Sequence, residues 1–66
     1  MEGNTYRNTK QHLLAAAMEL APTGPAQSAF SSLVTEAEME GTEQKEVLIL
    51  LVGAIYDGLA YGNWPK

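Results

Sequence analysis

Residues Val47 to Val52 read VLILLV, and Gly53, Ala54, Ile55 and Tyr56 extend this apolar run to the next phenol. In a helix of roughly 3.6 residues per turn, six consecutive apolar positions point in every direction. Such a helix has to be covered on all sides. A buried β-strand is the competing reading for so short a run. The flanks TEQKE and YDGLA continue the segment, and the rest of the chain offers no partner strand, so helix is the better assignment. Two short amphipathic helices of the same chain can cover only part of it. A second copy of the chain is the simplest cover for the rest.

The remaining punctuation defines three helices, at about residues 5–20, 25–40 and 43–61, with a short tail 62–66, in one domain spanning 1–66. In the first, Leu13, Ala17 and Leu20 form the expected inner stripe, with Tyr6, Leu14, Met18 and Ala21 beside it. APTGP breaks the helix, because Pro22 disfavours helical backbone in the residue before it and Gly24 tolerates positive φ. Pro25 then suits the first turn of the second helix. Ala26, Phe30, Leu33 and Ala37 are the expected stripe there, with Ala29 and Val34 at its margin. Gly41 suits the end of that helix, and Thr42 the cap of the third. The fold class is therefore all-α, a three-helix unit completed by homo-oligomerisation through the third helix. The expected interface is Val47, Leu48, Leu51, Ala54, Ile55 and Gly58.

Size sharpens that expectation. A domain near 60 residues buries only about 60% of its unfolded surface and usually needs a staple or a partner. Without cysteine, neither disulfides nor thiolate metal sites are available, and the single His12 cannot build an all-histidine zinc site. No cofactor or metal is expected. Eight acids against four bases give a net charge of −4, which repels a phosphate backbone and argues against general nucleic-acid binding. The opening MEGNTYRNTK is polar, unlike a signal peptide, and the apolar run falls short of the ~20 residues that cross a bilayer. A soluble, cytoplasmic protein is expected.

Catalysis finds no constellation here. The histidine has no neighbouring nucleophile, the serines of SSLVTEAE lack glycine framing, and no GxxxxGK loop occurs. The expectation is a protein that is not an enzyme.

Binding has better candidates, concentrated in GAIYDGLAYGNWPK. Ala54, Gly58 and Gly62 fall at four-residue steps, a ridge without bulk that suits either close helix packing at a dimer axis or a groove for a planar ligand. Asp57 lies in the most apolar part of the chain. It is either an exposed or capped aspartate near a helix end, or a polar anchor held by Tyr56, Tyr61, Trp64, Arg7 or Lys10. Gly62 and Asn63 favour a left-handed helix end and Pro65 prevents continuation, so the turn returns Trp64 towards the bundle. Trp64 then either closes the core or forms an aromatic wall with Tyr56 and Tyr61, suited to stacking on a base. Glu36, Glu38, Glu40, Glu43 and Glu46 put five of the eight acids around the second turn. They read as a solvated face that could also meet a basic partner, and His12 reads as exposed.

YDGLAYGNWPK resembles the tails of small acidic helical accessory proteins of bacteriophages and mobile elements. The resemblance covers about the last dozen residues. It implies a non-enzymatic inhibitor or sequestering protein, acting in the host cytoplasm, that blocks a host defence or regulatory macromolecule. The competing expectation is a sponge for a small nucleotide-type signal in an inter-chain pocket. There Tyr56, Tyr61 and Trp64 stack on the base, Arg7 and Lys10 of a neighbouring chain meet phosphate, and Asn63 or Asp57 reads polar edges. A structural or assembly component, whose interface is its whole function, is the third.

Overall fold

The computed structural model describes residues 3–65 as three helices, α1 (Gly3–Leu20), α2 (Gly24–Met39) and α3 (Gln44–Tyr61), with no strand among the described residues. Met1, Glu2 and Lys66, which belong to the expected domain and tail, lie outside that range. The expected bounds are met within one or two residues.

The ends follow from local chemistry. Thr23 sits in extended backbone (φ −136°, ψ 159°), and its hydroxyl oxygen accepts from the Ala26 N–H at 3.2 Å, with Pro25 in the first turn of α2. At the other end Gly41 takes φ 80°, and the Thr42 N–H reaches back to the Ala37 carbonyl at 3.0 Å. The cap of α3 differs from expectation: Glu43, not Thr42, holds that position, and its side chain makes no capping bond. Gly62 ends α3 at φ 68°, its N–H bonded to the Gly58 carbonyl at 2.9 Å.

Two contacts set the direction of the helices. The Gln27 side-chain amide donates to the Met18 carbonyl at 2.8 Å, tying the end of α1 to the start of α2. Tyr6 and Lys10 both donate to Glu38, tying the start of α1 to the end of α2. All three helix pairs are in contact. Thus α1 and α3 run the same way and α2 runs against them, in a bundle 32 Å long.

The core is built mostly from small side chains. Among the described residues the buried apolar set is Tyr6, Ala17, Ala21, Ala26, Phe30, Val34, Ala37, Val47 and Leu51, of which four are alanine. Two inner stripes are rotated from expectation. Val34 is buried while Leu33 stays half-exposed, and Leu20 faces outward at 42% exposure while Ala17 and Ala21 point in. Alanine allows close helix approach, and a thin core has room for few large residues. Phe30, Leu51 and Val47 occupy that room.

Candidate functional site

The inner face of α3 is set by Val47, Leu51 and Gly58, spaced at one and two turns, the first two in the core and Gly58 beneath the Trp64 ring. Leu48, Ala54 and Ile55 flank this line, half-buried and packed against the same core. These six are the residues expected at an oligomer interface. Val47, Leu51 and Gly58 are buried inside the chain, so none of the three is free to meet a second copy. What α3 presents outward is a different set: Ile49 (59% exposed), Leu50, Val52 (51%), Tyr56 (58%), Leu59 (59%) and Tyr61.

Two shallow depressions flank this outer face. One, about 610 Å³, lies on the α1 side and is lined by Thr9, Leu13, Leu48, Val52 and Tyr56. The other, about 420 Å³, lies towards α2 beside Leu33, Leu50 and Ala54. Ile49, Gly53 and Asp57 border both. Nothing lies within 4 Å of the position a Gly53 side chain would take, so this mid-helix glycine is required by no neighbour in its own chain.

The C-terminal turn accounts for Trp64. With Gly62 left-handed and the Asn63 N–H bonded to the Asp57 carbonyl at 3.2 Å, the chain reverses over the last turn of α3. The half-buried indole comes to rest edge-on to Phe30, with ring centroids 6.1 Å apart and planes at 74°. It also lies against Gly58, where any side chain would overlap the ring. Pro65 follows beside Pro25 and Ser28 of α2. Tyr56 and Tyr61 instead remain outside, paired edge to face with centroids 5.9 Å apart, and the exposed Asp57 sits between them in sequence. Asn63 is exposed just beyond.

Arg7 and Lys10 lie at the far end of the bundle from Tyr61, Asn63 and Trp64, because α1 begins where α3 begins. Arg7 is exposed. Lys10 is committed to Glu38, with a 2.8 Å ion pair, and its ammonium stands 5.1 Å from the Tyr6 ring centroid. The buried Tyr6 hydroxyl donates to the same carboxylate oxygen. Burial, and then the Glu38 acceptor, raise the Tyr6 phenol from 10.0 to about 12. Lys10, and then the Tyr6 hydroxyl, hold Glu38 below the usual carboxylate range. Tyr6 and Lys10 share a helix face one turn apart, a signal present in the sequence, but their acceptor lies 28 residues beyond Lys10 and no local pattern points to it.

Glu36, Glu40, Glu43 and Glu46 are all exposed around the α2–α3 turn, as is His12 on α1. Among the described residues, no three His, Asp or Glu side chains converge as a metal would require, and no helix is long and apolar enough to cross a membrane. Comparison of the chain with protein-family models, curated proteins and solved structures finds no match.

Proposed function

We propose that this chain is a non-enzymatic binding protein that works as a small homo-oligomer and acts as an inhibitor by occupying a larger macromolecule. One observation carries the reading: the outer face of α3 leaves Ile49, Val52, Tyr56 and Leu59 each more than half exposed. Fully burying such a side chain is worth about 1.5–3 kcal/mol, so covering the exposed half of each contributes roughly 1 kcal/mol. Four residues in each of two chains then supply about 8 kcal/mol, against an association cost of about 4–15 kcal/mol. Assembly of this kind is reversible and depends on concentration. The four exposed glutamates at the α2–α3 turn favour a partner with a basic surface, chiefly by speeding encounter.

Sedimentation across a wide concentration range tests the first half of this reading. Association with increasing concentration is expected, and a monomer throughout refutes it. Capture from a host lysate tests the second. A stable basic-surfaced partner, lost when Glu36 and Glu43 become lysine, is expected; recovery of no partner refutes inhibition by occupation.

The Tyr56–Tyr61 pair beside Asp57 favours a second reading, in which the oligomer sequesters a small nucleotide-type ligand. Arg7 and Tyr61 lie towards opposite ends of one chain, so a pocket that uses both has to be assembled between chains. A panel of cyclic and linear nucleotides should then raise the melting temperature of the wild type and not of Tyr61→Ala. No shift with any of them removes this reading.

A further inference from the structure

The line of α3 directly opposite the core is Ile49, Gly53, Tyr56 and Ala60, at steps of four, three and four, all exposed. Large and small residues alternate along it. Gly53 is the unexplained member: a glycine inside a helix is unfavourable relative to alanine, and nothing in its own chain approaches it.

We infer that this line is the seam of an antiparallel α3–α3 pair between two copies of the chain, in which Tyr56 of each copy packs over Gly53 of the other. The inference rests on the proposed homo-oligomer and specifies its geometry. A two-fold axis passing between Ala54 and Ile55 sets Tyr56 opposite the partner's Gly53. The same axis, with no further adjustment, sets Ile49 opposite the partner's Ala60. Every large residue of the seam meets a small one, which is what close helix packing requires. On one shoulder Val52 comes beside the partner's Leu59, and on the other Leu50 comes near the partner's Tyr61, extending the apolar contact into both depressions.

Of the charges at the start of α3, Glu46 opposes this register and Lys45 favours it. Lys45, whose ion partner in its own chain is the exposed Glu43 at 3.8 Å, reaches the C-terminal end of the partner's α3. That end carries no basic residue in its last turn, and its free carbonyls favour a cation. A parallel pair would do the reverse. It stacks Tyr56 on Tyr56, leaves Gly53 facing Gly53, and sets Lys45 against Lys45. A standard interface takes about 800 Å² from each partner, roughly a fifth of the 4394 Å² this chain exposes. The antiparallel arrangement also carries the end of one copy that holds Arg7 alongside the end of the other that holds Tyr61 and Asn63.

Because the chain has no cysteine, single-cysteine variants report the register directly. Ile49→Cys and Ala60→Cys are prepared separately, mixed and oxidised. A disulfide between the two different variants is expected, with little self-linking of Ile49→Cys. Predominant self-linking of Ile49→Cys overturns the antiparallel register even if the protein is a dimer. A second measurement uses sedimentation of Gly53→Ala, where the added methyl meets Tyr56 twice per dimer. The dimer dissociation constant should rise at least about tenfold, while the dilute monomer melts at a higher temperature than wild type. Unchanged dimerisation in Gly53→Ala overturns the Tyr56–Gly53 contact. A wild type that is monomeric at every concentration defeats both this inference and the oligomer it rests on.

Discussion

Two glycines one turn and a residue apart on α3 should respond in opposite directions to the same substitution. Replacing glycine by alanine within a helix is worth about 1 kcal/mol in backbone terms. Gly53→Ala collects that gain freely in the monomer, since its new methyl meets nothing in the chain. At Gly58 the methyl overlaps the Trp64 ring, and the ring has to leave. Losing a fully buried aromatic costs about 3–5 kcal/mol. Trp64 is only half-buried, so its displacement costs about 2 kcal/mol, including its edge contact with Phe30. The net for Gly58→Ala is about 1 kcal/mol of destabilisation. For a chain of this size 1 kcal/mol corresponds to about 7 °C in melting temperature. Measured by circular dichroism on dilute protein, Gly53→Ala should melt about 7 °C higher than wild type and Gly58→Ala about 7 °C lower. The sole tryptophan makes the mechanism visible, because its emission should shift to the red in Gly58→Ala. In a Trp64→Ala background the penalty disappears and Gly58→Ala should become stabilising. If Gly58→Ala raises the melting temperature of the wild type as much as Gly53→Ala does, Trp64 does not pack on Gly58 and the reasoning fails.

The Glu38 cluster predicts two pH limits. Glu38 is held below its usual range, so its contribution is intact above the ordinary carboxylate pKa of about 4.3 and is lost as pH falls through its lowered folded value; Glu38→Gln should flatten that acid-side loss in urea titrations. Tyr6 is raised from 10.0 to about 12, so its contribution is intact below pH 10 and declines between 10 and about 12; Tyr6→Phe should remove that alkaline slope. Thr23→Ala should cost about 1 kcal/mol through loss of the bond from the Ala26 N–H, and equal stability in thermal melts would show that this cap is not formed. Gly62→Ala should cost about 1 kcal/mol, because the position keeps φ at 68°, whereas Gly24→Ala, on ordinary helical backbone, should not destabilise the chain.

Local chemistry made the helices and their ends readable from the sequence. Pro22 marks the first break, although Gly24 takes no positive φ and already begins α2; Gly41 marks the second, and Gly62 with Asn63 the reversal that returns Trp64. The azimuth of each helix was harder to read. Along α2, Leu33 and Val34 are neighbours, and periodicity alone does not decide which one faces in. Along α1, alanine and leucine count equally as apolar in a stripe, yet the thin core takes Ala17 and Ala21 and leaves Leu20 outside. Six consecutive apolar residues carry no periodicity at all, so the sequence points Val47 and Leu51 to an interface although the chain buries them itself. Of the expected binding residues, Tyr56, Asp57 and Tyr61 remain outside on one helix. Lys10 does not join them, because its partner is Glu38, a contact across the bundle that no local spacing encodes.

The thin core and the outward seam have one cause. With alanine at Ala17, Ala21, Ala26 and Ala37, α1 and α2 can approach α3 closely, and close approach leaves no volume for a second layer of large side chains. The aliphatic mass of α3 therefore divides: Val47 and Leu51 fill the inside, while Ile49, Val52 and Leu59 are left outside. Gly53 shows that the outer side is shaped as well as apolar. A mid-helix glycine with empty space beside it lowers the stability of an isolated chain, and the loss is recovered only if something large enters that space. Tyr56 stands one turn further along the same face, exposed and at the height that a two-fold partner requires. On the proposed pairing, folding and assembly are parts of one burial process, divided between two faces of α3.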